Sequence, residues 1–220
     1  MELGHVDVVK GVPLFEGVTA QTLAQHGLRP TSLSLKAGQT LIMVGEPLTK
    51  VWFLRSGWAR LLVHSPAGHE ATTTIIGPGE MLGYLGGAGT ATSPCTAAAL
   101  TDATAVSFLS SAFERWLRSD ARAACRVIDV LARRLSESAR LKAINAERAE
   151  TRLQLTLGWL AEKFGPDIPA TRSLLADLTG LRAETCSRAL STLRRRGVLD
   201  VFPGLIRVLQ PRRLGRERGR

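Results

Sequence analysis

Leu174-Leu175-Ala176-Asp177-Leu178-Thr179-Gly180-Leu181-Arg182-Ala183-Glu184-Thr185-Cys186-Ser187-Arg188 is the stretch whose reading decides the fold. It reads as a short helix, a glycine-centred turn and a second helix. Cys186, Ala189, Leu190 and Leu193 recur at i, i+3, i+4 and i+7, which predicts the buried face of the second helix. Glu184, Ser187 and Arg188 share another face by the same spacing, turned outward. Ala176 is small enough for two helices to cross closely. Gly180 accepts the positive φ that a sharp turn often requires. This is the layout of a helix-turn-helix, whose second helix enters the DNA major groove. The outward residues suit base edges: Arg can clamp guanine, Glu can accept from cytosine, and Ser adapts to either. The alternative is an ordinary helical hairpin with a solvated, charged face.

The distribution of charge favours the DNA reading. The 220 residues carry net +10. Residues 1–120 hold 8 Lys+Arg and 9 Asp+Glu, whereas residues 121–220 hold 21 and 10. All the excess positive charge therefore lies in the half that carries the helix-turn-helix, as a polyanion partner requires. Arg194-Arg195-Arg196 and the tail arginines Arg212, Arg213, Arg216, Arg218 and Arg220 are candidate phosphate contacts; a solvated tail explains the last five equally well.

Other classes find little support. No apolar run approaches the roughly 18 residues of a membrane span, and no secretory signal opens the chain. Cys95, Cys125 and Cys186 are odd in number and far apart, so a reduced, cytoplasmic protein without disulfides is expected. No spacing announces a metal site, and no phosphate-binding loop or nucleophile motif suggests an enzyme.

Residues 11–30 read as short helices. From Leu35 to about Ser110, β-rich runs alternate with Gly and Pro turns: Thr40–Val44, Val51–Leu54, Trp58–His64, Ala71–Ile76 and Ala103–Leu109. Such spacing predicts an all-β sandwich or jelly roll. Residues 119–147 read as one long helix. Its narrow seam, Ala124, Ile128, Leu131, Leu135 and Ser138, extended by Lys142 and Asn145, is heptad-like and suits pairing with a second copy. One-sided packing on the β domain is the alternative. A further amphipathic helix follows through Leu153, Leu157, Leu160 and Phe164 and ends at Gly165-Pro166. Thr171 is placed to cap the first helix of the helix-turn-helix. Val198–Phe202 and Leu205–Leu209, joined at Pro203-Gly204, predict a hairpin wing. The fold class is thus α+β: a β-roll over 1–118, a dimerisation helix over 119–148 and a winged helix-turn-helix over 149–220.

This order of elements resembles the Crp/Fnr family of bacterial transcription regulators, over essentially the whole chain. Gly180-Leu181-Arg182-Ala183-Glu184-Thr185-Cys186-Ser187-Arg188 is similar to the family's G-x-x-x-E-T-x-S-R. Lys36-Ala37-Gly38, Gly45-Glu46-Pro47, Leu54-Arg55-Ser56-Gly57-Trp58-Ala59-Arg60 and Pro78-Gly79-Glu80-Met81-Leu82-Gly83 resemble successive segments of its β-roll. The resemblance implies a homodimer on double-stranded DNA, with RNA polymerase as a further partner if the protein activates. Glu184, Ser187 and Arg188 would read bases; Thr171, Arg172, Thr185 and Arg195 would contact phosphate. The cyclic-AMP receptor type has arginine where this chain has Ala183, so the reading helix is closer to the fumarate–nitrate type. That implies inverted TTGA-like half-sites, roughly 34 Å apart.

The ligand cassette departs from the family pattern. Cyclic-nucleotide binders carry Gly-Glu for the ribose and Arg-Ser/Thr for the phosphate; here stand Gly83-Tyr84 and Pro94-Cys95. No Lys or Arg occurs between Arg60 and Arg115. A buried phosphate needs a charged partner or many donors, so cyclic AMP is not expected as the effector. By resemblance, an effector would lie near Gly83, Tyr84, Cys95 and Ser138. Haem, for which His64 or His69 are candidate ligands, another small molecule, and no effector at all stay open. From a different class, the chain reads as a ligand-sensing protein whose basic half binds RNA or a protein.

Overall fold

A computed structural model describes residues 7–64, 70–84 and 91–214, the side chain of His64 excepted. The turn at Pro66-Ala67-Gly68, His69 and the tail arginines Arg216, Arg218 and Arg220 lie outside the described residues. Helix α1, helical over residues 7–9, a 3-10 turn at Pro13–Phe15 and α2 (Ala20–Gln25) lead into eight strands. These are β1 (Thr31–Leu35), β2 (Thr40–Ile42), β3 (Lys50–Ser56), β4 (Ala59–His64), β5 (Glu70–Ile76), β6 (Met81–Leu82), β7 (Thr96–Ala99) and β8 (Ala103–Leu109).

The strands form two antiparallel four-stranded sheets, ordered β1-β8-β3-β6 and β2-β7-β4-β5. β3 explains the first sheet's position. Leu54 packs with Leu35, Ile76, Leu82 and the small side chains of β7, whereas Val51 and Phe53 point into a second cluster. Successive side chains of a strand face opposite ways, so Val51-Trp52-Phe53-Leu54 is apolar throughout because both faces are covered. The second cluster stacks Phe15, Phe53, Phe108, Phe113 and Trp116, with Phe15 and Trp116 rings 5.4 Å apart.

The β-roll expected from sequence is present, with three additional strands. β1, β6 and β7 were not anticipated; β6 has two residues, and β7 is Thr-Ala-Ala-Ala, which carries little strand propensity. Their pairing is decided by the neighbouring strands.

The helix expected over 119–147 is α4 (Ala121–Asn145); α3 (Ser110–Ser119), which was not anticipated, precedes it and closes the aromatic cluster. Asp120 makes the break: its carboxylate accepts from the backbone N–H groups of Arg122 and Ala123 at 3.0 and 3.1 Å. Those bonds hold its pKa below the ordinary carboxylate range. Ala123 and Val127 bury against the aromatic cluster, while Ile128, Leu131 and Leu135 stay 62%, 39% and 73% exposed. The seam residues therefore lie beside the packed face of α4, not on it; Ala124 is half-buried and Ser138 exposed.

The chain divides into two compact units, Met1–Arg134 and Leu135–Arg220, the division falling inside α4. In the second unit the end of α4 is tied to α5 (Ala149–Phe164) by Glu137–Lys163 at 2.8 Å and Arg140–Glu162 at 2.6 Å. Then follow β9 (Asp167–Ile168), α6 (Arg172–Thr179), α7 (Ala183–Arg195), β10 (Leu199–Phe202) and β11 (Leu205–Val208). The expected hairpin gains β9 as a third strand, in the order β10-β11-β9.

Candidate nucleic-acid interface

The geometry of α6 and α7 follows from their termini. The Thr171 hydroxyl accepts from the N–H of Leu174 at 3.1 Å, satisfying one orphan donor at the start of α6. At its end Gly180 has φ 62° and ψ 23°. The N–H of Leu181 reaches the carbonyl of Ala176 at 3.0 Å and that of Gly180 reaches Asp177 at 3.3 Å, a Schellman closure. Thr171→Ala is expected to cost about 0.5–2 kcal/mol of stability. A urea titration of wild type and variant measures it; superimposable curves would remove the cap from the account.

Leu174, Leu175 and Leu178 of α6 and Leu153, Leu157, Trp159 and Leu160 of α5 are buried, and they hold α7 through Cys186, Leu190 and Leu193. Cys186 is fully buried, with its thiol 3.7 Å from the Arg172 carbonyl; burial pushes its pKa up to about 11, against the pull of Arg172. It is a packed thiol. Glu184 and Arg188 are exposed, as expected, but Ser187 is only half-exposed, and Ala189, expected in the core, is half-buried. Both residues sit at the border between the packed and the open side of α7.

Sequence reasoning missed Arg152. From α5 its guanidinium donates to the Thr179 carbonyl at 2.8 Å and to the Glu147 carbonyl at 3.0 Å. It thereby fixes the end of α6, next to the turn, against the start of α5. No spacing in the sequence marks such an arginine, because its acceptors are backbone.

An open groove of about 740 Å³ runs along α7, lined by Arg172, Ser187, Arg188, Ser191, Arg195 and Val201 among others, with no carboxylate in its wall. The start of α6 supplies Arg172, and β10 supplies Val201. The expected phosphate contacts Arg172 and Arg195 thus meet Ser187 and Arg188, expected to read bases, in one place. Thr171 caps α6 beside Arg172; Thr185 is half-buried on α7.

Seven arginines of α6, α7, their flanks and the wing fall into two sets. Arg194 faces Asp200 at 3.9 Å, Arg196 faces Glu150 at 3.4 Å, and Arg207 clasps Asp167 with two bonds of 2.6 and 3.1 Å. Arg172, Arg182, Arg188 and Arg195 make no ion pair among the described residues. Arg182, exposed at the cap position of α7, was not among the residues expected to function. Of the basic run 194–196, only Arg195 is free of an acidic neighbour.

Comparison with known proteins rests on the same two units. Residues 32–120 match the cyclic nucleotide-binding domain model, and residues 126–217 match the Crp-like helix-turn-helix domain model. The chain belongs to the Crp/Fnr family of transcription regulators. It is 25% identical to a "CRP-like cAMP-activated global transcriptional regulator" of Mycobacterium tuberculosis, covering 96% of this chain and 98% of that one. It is 28% identical to the "Cyclic AMP receptor protein" of Thermus thermophilus, covering 91% and 94%. The solved structure of FixK2 from Bradyrhizobium japonicum has the same fold, with a TM-score of 0.75 at 21% identity over 84% of this chain and 95% of that one.

In this Crp/Fnr chain the cassette residues are placed as follows. Gly83 ends β6, with φ 73°; a Cβ there would lie 2.9 Å from the Lys50 carbonyl oxygen. The Tyr84 ring packs edge-on to Phe113 at 5.3 Å, so it joins the aromatic cluster. Burial, then Glu114, raises its pKa. Cys95 is half-buried after a turn in which the Ser93 hydroxyl donates to the Cys95 carbonyl at 2.6 Å. Burial raises the thiol's pKa, opposed by Ser93 and Arg134. Ser138 belongs to the other unit, on the exposed side of α4. His64 and His69 offer no side chain among the described residues, where no cluster of three or more His, Cys, Asp or Glu could hold a metal. No described helix is long and apolar enough to cross a membrane.

Proposed function

We propose that this regulator acts as a cytoplasmic homodimer on inverted TTGA-like half-sites, without cyclic AMP. The observation that carries the DNA reading is the acid-free groove along α7, where Arg172, Arg188 and Arg195 converge beside Ser187. Glu184, Ser187 and Arg188 are the base readers, with Thr171, Arg172, Thr185 and Arg195 on phosphate. Pairing through Ala124, Ile128, Leu131, Leu135 and Ser138 is favoured by the uncovered apolar stripe of α4. In this reading 1–118 is the sensor, 119–148 the dimer helix and 149–220 the DNA-binding domain.

Independence from cyclic AMP rests on the cassette. Relatives named for cyclic AMP are 25–28% identical, yet this chain has Tyr84 and Pro94-Cys95 where nucleotide binders carry an acid and a cation, and residues 61–114 hold no Lys or Arg. Calorimetry with cyclic AMP is expected to register no binding at micromolar concentration; a clear isotherm would overturn this part alone.

Binding of the purified chain to an inverted TTGA repeat, against a scrambled duplex at one salt concentration, tests the DNA reading. Arg188→Ala is expected to cost about 1–3 kcal/mol and relax specificity at one base pair. Undiminished selectivity in that variant would remove Arg188 from readout. Equal affinity for both duplexes, with tight binding of RNA, would favour the interaction-protein reading instead.

A further inference from the structure

We propose that two ion pairs between α4 and α5 set the half-site spacing this regulator accepts, which makes Glu137, Arg140, Glu162 and Lys163 positioning residues for DNA recognition. The inference rests on the homodimer reading above and concerns how the dimer helix holds the reading helix. Arg140 Nη1 donates to Glu162 Oε2 at 2.6 Å, and Lys163 Nζ donates to Glu137 Oε2 at 2.8 Å. Glu137 also biases Arg140 toward its charged form, so the four groups make one network of alternating sign.

Their placement on α4 gives these pairs a role in spacing. At about 3.6 residues per turn, Glu137, Arg140 and Ile144 share one face of α4, while the seam residues Leu135 and Ser138 lie on the opposite one. Ile144 is buried, whereas Leu135 and Ser138 are exposed. The last turns of α4 thus have two partners on opposite sides: α5 of their own chain and, in the dimer, the second copy. From Leu135 onward α4 belongs to the same compact unit as α7.

In a dimer, the separation of the reading helices is fixed by the seam and by the path from seam to α7. That path runs through α5. Its second step is firm: α5 packs on α6 and α7, its Leu153, Leu157 and Leu160 are fully buried, and Arg152 ties it to the end of α6. Its first step is a link of three exposed residues, Ala146, Glu147 and Arg148. Ile144 keeps the two helices together, but apolar burial is non-directional. The ion pairs supply the direction. Lys163 is held further by the rings of Trp159 and Phe164, 5.5 and 5.3 Å from its Nζ. Its side chain is 13% exposed and that of Glu137 33%, so salt screens this pair less than Arg140–Glu162. Without the pairs α5 swings about the link, and each reading helix reaches a range of positions instead of one.

The test uses the full chain and inverted TTGA duplexes that differ only in spacer length. One added base pair moves the second half-site by about 3.4 Å and rotates it by about a tenth of a turn. Wild type is expected to bind one spacing best and to lose affinity on either side of it. In the Glu137→Gln, Arg140→Gln chain that preference should fall at least about threefold, the scale of partly exposed ion pairs. Affinity for a duplex with a single half-site should stay unchanged, which a general loss of stability would not allow. Glu162→Gln should flatten the profile in the same direction by less, and the charge-conserving Glu137→Asp, Arg140→Lys chain should keep most of the preference. The same spacing profile in wild type and the doubly neutralised chain, or a flat profile in wild type, would overturn the proposal. With TTGA selectivity and dimerisation retained, that result rejects the ion-pair role alone. A wild type without TTGA selectivity, or one that sediments as a monomer, strikes the reading beneath it and the proposal together.

Discussion

Leu135→Lys is expected to convert the protein from a dimer to a monomer and to weaken binding to the inverted repeat by about 10²–10⁴-fold. Leu135 is 73% exposed, so within one chain its replacement by lysine removes little contact and the protomer should fold as before. In a paired helix the same position meets its own copy, and two ammonium groups would face each other where apolar side chains should close the seam. The large factor arises because the second half-site is bound at the effective concentration set by the first, an advantage a monomer lacks. Sedimentation equilibrium and DNA titration test the two consequences separately. A Leu135→Lys chain that remains dimeric and binds as tightly as wild type would show that α4 does not form the interface.

The second large effect is on stability. Gly57→Ala is expected to cost about 2–5 kcal/mol, from a left-handed backbone carrying a Cβ and from overpacking. Gly57 joins β3 to β4 with φ 75°, and a Cβ there would run into the Asp102 carbonyl oxygen and lie 2.6 Å from the Ala103 Cβ. These are backbone and a minimal side chain, with no rotamer to move aside. The denaturant midpoint of the N-terminal unit should fall accordingly, and an unchanged midpoint would mean that the β3–β4 turn can shift without loss.

Where residues repeat with a clear period or carry a turn signal, the fold was legible from the chain alone. Gly180, the Thr171 cap, the buried Cys186, Leu190 and Leu193 of α7 and the wing stand where the sequence put them, because local geometry there is dictated by local sequence. The elements that were not legible are those made by distant partners. β7 is a run of alanines that becomes a strand because β2 and β4 flank it. β9 is two residues recruited by β11. α3 was not anticipated because it follows β8 directly, with no Gly or Pro between them to mark a new element. Among candidate functional residues, Arg172, Arg188 and Arg195 were visible by position. The contribution of Arg152 was not, since it works through backbone carbonyls that no motif advertises.

The sorting of the arginines also has a consequence in ionic strength. Arg194, Arg196 and Arg207 already have acidic neighbours, so the net charge of the basic half overstates the number of phosphates it can neutralise. If Arg172, Arg182 and Arg195 meet phosphate from each protomer, six counterions' worth of contact gives a plot of log K against log salt with slope about −5. Were all six arginines to engage, the slope would steepen to about −11. The regulator should therefore keep its grip on DNA as salt rises better than its isoelectric point would suggest.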